Sequence, residues 1–286
     1  MVFELFFLDT VDPSLGRVGH DSFSQQTLME MVIDGITNKE KICGDVDEPK
    51  DIEEWRGVKI EDGKVARIQW DEFDLRGSPH LEWLPSSVRK VMVRWNSFTG
   101  TLDGASLPAS MQILYLGGNA FTGSICLERL PERMVYFGVS YNHLSGSLKL
   151  ESFPDTLTEF HAFKNKFSGS VDLTRLPAAL VCSNLSENHL SGSVVLTQLP
   201  TNLEYLGLAR NQFNGSLDLT RLPSSISGLQ LHNNSFSGTV DLSQLPQGLK
   251  ELDLSENELS GEAFISDEIF DRVNAENTKI IKRHME

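Results

Sequence analysis

Eight asparagines recur on one step: Asn96, Asn119, Asn142, Asn165, Asn188, Asn211, Asn234 and Asn257, each 23 residues after the last. A carboxamide carries donors and an acceptor, so a row of them can do one of two things. It can present a ladder of ligands, or it can satisfy backbone groups that a repeated turn leaves bare. Unbroken repetition favours the turn, because each copy then needs the same amide. The other chemically able residues are sparser. Asp172, Asp218 and Asp241 share the step, and Asp218 and Asp241 fall in adjacent copies, but no further oxygen ligands accompany them, so they read as solvated carboxylates. Cys43, Cys126 and Cys182 show no C-x-x-C spacing, which excludes a zinc ribbon or a dense disulfide framework and leaves one disulfide formally open. Three reduced thiols are the simpler reading. His143 and His189 follow ladder asparagines and read as turn residues. The chain has no phosphate-binding glycine loop, HExxH, G-x-S-x-G or kinase signature. No catalytic residue, metal or cofactor is therefore expected, and the chain reads as a non-enzyme.

Charge narrows the partners. The formal net charge is -15, and the first 80 residues hold 9 basic against 18 acidic side chains. Such a surface repels phosphate backbones and anionic membranes, so nucleic acid and lipid are disfavoured and a protein partner is favoured. The first eight residues are apolar but short and include Glu4. They make a poor signal peptide, cannot span a bilayer, and read as a packing segment of an N-terminal cap. With no membrane span, an intracellular, cytoplasmic protein is expected.

Something must position the asparagines. Proline recurs in phase from Pro85 to Pro246, and glycine from Gly100 to Gly261. The last unit reads Leu249-x-x-Leu252-x-Leu254-x-x-Asn257-x-Leu259-x-Gly261. In its L-x-L segment, alternation turns leucines inward and their neighbours outward, as a strand requires. Two residues after each asparagine comes Phe98, Phe121, Leu144, Phe167, Leu190, Phe213, Phe236 or Leu259, a stacked apolar spine. After the glycine, stretches such as Ser170-Val171-Asp172-Leu173 alternate again and suggest a second short strand. The Leu-Pro pair then turns the chain toward the next copy.

This pattern, LxxLxLxxN, resembles the leucine-rich repeat over residues 81–264. The longer form, LxxLxLxxNxFSGxhxL, resembles the plant-type class, and the wording "SGSVDLTRLP" most resembles the leucine-rich-repeat families of trypanosomatid protists. The resemblance implies a β-rich leucine-rich-repeat solenoid of eight 23-residue repeats. A parallel β-sheet would form its front face, with short second strands on its back face.

The ends must be capped. Residues 1–80 are assigned to an N-terminal cap region, 81–264 to the repeats and 265–286 to a C-terminal cap and tail. Residues 24–37 read as an amphipathic helix with Leu28, Met31, Val32 and Ile36 apolar, followed by strands near 55–60 and 63–68. The cap resembles the plant-type one, in which a cysteine would stand where Ile60 is; its loss argues against an oxidising compartment. Ser266 is read as capping a short helix through about Asn274, with Ile269, Phe270 and Val273 covering the last repeat. Residues 279–286 form an added strand or a loose end.

The outward residues of the front strands remain. Coils of a parallel sheet lie about 4.8 Å apart. That spacing gathers Met92, Arg94, Ile113, Tyr115, Tyr136, His161 and Phe163 into one patch, with Tyr205 beyond. Exposed aromatics beside arginine suit a partner-binding surface, whereas mutual packing would make the same residues structural. Ala162 and Ser183 stand where inward leucines belong, and Phe163 is a candidate to fill the first gap. The favoured function is a scaffold or adaptor that binds a protein through the front sheet. One alternative is a structural subunit of a larger complex, held through caps and edges and through the first 20 residues. A second is a secreted or cell-surface recognition protein with sequons at Asn184, Asn214 and Asn233, which are expected to carry no glycan.

Overall fold

Each of the eight repeat prolines, Pro85 to Pro246, starts a tight turn that launches a strand. In the computed structural model, which describes residues 22–285, the proline carbonyl accepts from the amide three residues on. Leu180 N–H to Pro177 O at 3.0 Å is one case. A three-residue strand follows: Lys90–Met92, Ile113–Tyr115, Tyr136–Gly138, Glu159–His161, Cys182–Asn184, Tyr205–Gly207, Gly228–Gln230 and Glu251–Asp253. Neighbours pair in parallel with an offset of one repeat, as in Tyr136 with Glu159 and Glu159 with Cys182. These eight strands form the centre of an eleven-stranded front sheet. The N-terminal cap adds the antiparallel hairpin Val58–Glu61 and Lys64–Gln69, and Val273–Asn274 closes the other edge.

The asparagines tie coil to coil. Asn165 Oδ1 accepts from Leu144 N–H at 3.0 Å, while its Nδ2 donates to Val139 O at 2.9 Å and Ala162 O at 3.2 Å. The same bonds recur at Asn96, Asn119, Asn142, Asn188, Asn211, Asn234 and Asn257. Each amide thus serves a donor on the preceding coil and carbonyls on both coils. Four of the eight, Asn142, Asn165, Asn188 and Asn257, are buried.

The second sheet departs from expectation. Its strands, such as His143–Gly146, Lys166–Gly169 and Gln212–Gly215, run from the asparagine to the glycine, not after it. The glycines sit at positive φ, +84° at Gly146 and +83° at Gly169, and the ladder stops there. Beyond them Val171 and Leu173 still alternate inward, but as extended chain outside the sheet. The strand Ser235–Thr239 runs one residue past its glycine, and in the last coil the strand continues much further, as Glu258–Ile265. There Lys279–His284 pairs with it over six residues.

The C-terminal cap is also corrected. No regular helix covers 266–274; a single 3-10 turn, Phe270–Arg272, leads into Val273–Asn274. A helix would leave the edges of both sheets unpaired, whereas two added strands satisfy them. Ile269 and Val273 are buried as expected. At the other end, Ser24 caps the helix Gln25–Ile33 by accepting from Thr27 N–H at 3.1 Å. Its core-facing residues are Leu28, Met29, Val32 and Ile33, with Met31 only half-buried. The expected packing segment in residues 1–8 lies outside the described residues. One continuous core runs from the cap helix to Val273, with the Phe98-to-Leu259 spine at its centre.

Candidate binding face of the front sheet

Two columns of outward residues decide this face. One reads Lys90, Ile113, Tyr136, Glu159, Cys182, Tyr205; the other reads Met92, Tyr115, Gly138, His161, Asn184, Gly207. Gly138 leaves a vacancy between Tyr115 and His161. Tyr136 leans into it: a methyl group on Gly138 would sit 2.8 Å from Tyr136 Cε1. The phenol therefore lies between its neighbours, with ring centroids 3.9 Å from Tyr115 and 5.3 Å from His161. Arg94 stands at one end, its guanidinium 4.9 Å over Tyr115 and 3.0 Å from Asp71 Oδ2. His161 Nε2 lies 3.0 Å from Glu159 Oε2 at the other.

A second aromatic band runs beside the first. Trp95 meets Tyr141 at 5.3 Å, and Tyr141 meets Phe163 edge-on at 5.0 Å. Lys164 Nζ lies 4.9 Å over Tyr141. Strand alternation points Trp95 and Tyr141 inward, yet they are 54% and 39% exposed. Both have left-handed backbones, φ 55° and 56°, and that turn throws the side chain out. Between the bands lies a groove of about 290 Å³ with Gly117, Gly118, Gly138 and Ser140 in its lining.

Burial pushes the Tyr136 hydroxyl well above its ordinary range, with the neighbouring Tyr115 hydroxyl adding to the shift. Burial and Glu159 raise Tyr115. Both hydroxyls stay protonated around neutrality and can donate. The hydrogen bond to Asp71 raises Arg94, so that cation is permanent.

The sequence-predicted patch is brought together in large part. Arg94, Tyr115, Tyr136, His161 and Phe163 line the groove, and Ile113 flanks it, half-buried beside Tyr136. Met92 does not belong, because it is only 8% exposed between Gln69 and Tyr115. Tyr205 lies apart, past the Cys182 coil; it covers Gly228 and donates to Gln230 Oε1 at 2.8 Å. Phe163 does not fill the gap at Ala162. It stays on the outer face, while Phe137, Phe153 and Phe160 pack together beneath. Trp95, Gly118 and Tyr141 were not legible from strand alternation. The signal that marks them is position, directly before the ladder asparagine.

The remaining chemical candidates resolve simply. Asp172 and Asp218 each accept from the amide and hydroxyl of a threonine two residues on, and Asp241 accepts from Ser243 N–H, so these carboxylates close turns. Those bonds hold all three below the usual carboxylate range. No group of three metal-ligating side chains occurs among the described residues. All three cysteines are free.

No protein-family model matches the chain, and no curated protein matches it. Solved structures do. The chain is similar to the PEPR1–AtPEP1 structure, at 20% identity over 91% of this chain and 41% of that one, with a TM-score of 0.67. It is similar to the leucine-rich-repeat ectodomain of the Arabidopsis receptor kinase HAESA with an IDA peptide hormone, at 21% over 91% and 49%, TM-score 0.58. A plant ice-binding protein matches at 16% over 83% and 87%, TM-score 0.57. The chain spans about two-fifths of the length of the first plant receptors it matches. These likenesses establish the fold as a leucine-rich-repeat solenoid. No helix among the described residues is long and apolar enough to cross a membrane. The expectation of a cytoplasmic protein finds no support in neighbours that are receptor ectodomains.

Proposed function

We propose that this chain is a non-catalytic module that binds a protein or peptide across its front sheet. One observation carries the reading: two continuous aromatic bands, Tyr115–Tyr136–His161 and Trp95–Tyr141–Phe163, flank a glycine-lined groove. Rigid aromatic rings beside an arginine are what binding centres use, because they bury area at little entropic cost. The rings also pack on one another, which pre-organises them and lowers the cost of binding. Solved neighbours of this fold hold peptide hormones, which supports a partner of that class. In this reading the chain works as a scaffold or adaptor.

A cell-surface or secreted recognition role is the second reading. Asn214 and Asn233 stand exposed within their sequons, and neighbours of this fold are ectodomains. Glycan on the native protein would favour it, and unmodified Asn214 and Asn233 would count against it. Membership of a larger assembly through the first 20 residues concerns residues outside those described. The narrower likeness to trypanosomatid families rests on repeat wording alone.

The test is affinity capture from the native source with wild type and a Trp95→Ala, Tyr115→Ala, Tyr136→Ala triple variant of confirmed fold. A partner held by wild type should bind the variant at least about tenfold more weakly, the loss of one or more hot-spot rings. Equal binding would remove the front sheet from the interface. Tyr205→Ala, assayed separately, reports whether the contact extends past the Cys182 coil.

A further inference from the structure

One position breaks the inward leucine column behind the sheet. Leu81, Leu127, Leu150, Leu173, Leu196, Leu219 and Leu242 repeat at the 23-residue step and are all buried, but Gly104 stands in the second place. Leu130 leans toward the gap, its Cδ2 3.4 Å from where a Cβ on Gly104 would stand, without closing it. A cavity of about 310 Å³ opens there between the coils. Its inner wall is Leu114, Leu116 and Phe137 from the front strands, with Leu81, Leu107 and Ile125 behind. Its mouth carries Glu82, Thr101, Asp103, Ser106 and Cys126.

We propose that this cavity is a binding site for a small, uncharged, largely apolar molecule of one or two rings. Size permits it: an enclosed apolar cavity of roughly 150 Å³ already admits benzene, and this hollow, apolar at its inner wall but polar and open at its mouth, is about twice that. Chemistry selects the ligand. The lining holds no lysine, arginine or histidine to pair an anion, and its inner wall of Leu114, Leu116 and Phe137 offers a charged group nothing to replace its water. Glu82 and Asp103 at the mouth, with Glu128 near the Cys126 thiol, repel an anionic head. A hydroxyl or amine at the ligand's outer end would meet acceptors there instead. The site is separate from the aromatic face and stands whether or not that face binds a partner.

Indole is a suitable probe, followed by methyl NMR and thermal unfolding of the full chain. Indole should shift the Leu114 and Ile125 methyl resonances and raise the melting temperature. Indole-3-carboxylate, of similar shape but anionic, should bind about tenfold more weakly. Gly104→Leu restores the column; the backbone there is not left-handed, but a new Cβ meets the Cys126 carbonyl oxygen at 3.2 Å and Leu130 Cδ2 at 3.4 Å, so the next coil must give by a few tenths of an ångström. This variant, once folded, should abolish the indole shifts. Should it fail to fold, Gly104→Ala must still weaken indole binding. Absence of indole binding in wild type, undiminished binding in the folded Gly104 variants, or shifts confined to front-face residues would each overturn the proposal.

Discussion

Trp95 and Tyr141 stand two coils apart, yet their ring centroids are 5.3 Å from each other. Gly118 on the intervening coil makes this possible: a methyl group on its α-carbon would lie 2.4 Å from Trp95 Cε3. The left-handed turn is not why glycine is needed, since Tyr141 and Lys164 adopt it at φ 56° and 57°. Gly118→Ala should therefore lift the indole from the surface and cost about 1 kcal/mol in strain. Acrylamide quenching of tryptophan fluorescence should increase and partner affinity should fall. Unchanged quenching would mean that Trp95 does not rest on Gly118.

Asn165→Ala removes the acceptor for a buried amide. Leu144 N–H loses its partner, and an orphaned buried donor costs roughly 1–3 kcal/mol. Asn165→Asp keeps the acceptor but sets a carboxylate against Val139 O and Ala162 O, so it should be at least as harmful. Urea unfolding measures both, and a broadened transition is expected as neighbouring coils uncouple. An unchanged midpoint would show that water replaces the amide without loss.

Ser183 occupies an inward site that other coils give to Leu114, Phe137, Leu206 or Leu229, and its buried hydroxyl makes no hydrogen bond. Ser183→Ala discards that hydroxyl with little loss of volume. Stability should rise by about 1 kcal/mol, visible as a melting temperature a few degrees higher. A lower melting temperature would reveal a partner for the hydroxyl in solution.

Burial, aided by Glu159 and Glu204, pushes the Cys182 thiol up to about 11 from an ordinary 9.0. Tyr205 beside it is pushed up to about 12 from 10.0, again chiefly by burial. Both groups are neutral when protonated, so the folded state holds its protons longer than the unfolded chain. Their contribution is complete below pH 9 and is lost as pH rises through 9 to 12. Urea midpoints measured across this range should fall, and less steeply in Cys182→Ala. Near pH 8, Cys182 should alkylate more slowly in the folded chain than after unfolding in urea, because thiolate is the reactive form. Equal rates in the folded and unfolded chain would contradict the burial argument.

Most of the architecture could be read from residue spacing. Asparagine, proline and glycine columns in phase admit one solution: identical coils, each burying the same side chains and repeating the same turn. Arg94, Tyr115, Tyr136, His161 and Phe163 could be placed by strand alternation, which is a property of the local backbone.

The rest depended on what neighbouring coils do to each other. Trp95 and Tyr141 point outward because a left-handed turn breaks the alternation, and pattern alone carries no such information. Met92 is covered by its flanking coils. Tyr136 lies between Tyr115 and His161 only because Gly138, on its own strand, leaves the space. Residues 266–274 became a turn and a strand and not a helix because the front sheet ended in a bare edge, while the strand expected of the tail pairs as Lys279–His284. Periodicity in sequence determines which residues form a column; whether a side chain stands, leans or leaves a hollow is decided by the volumes on adjacent coils, which meet only in the folded chain.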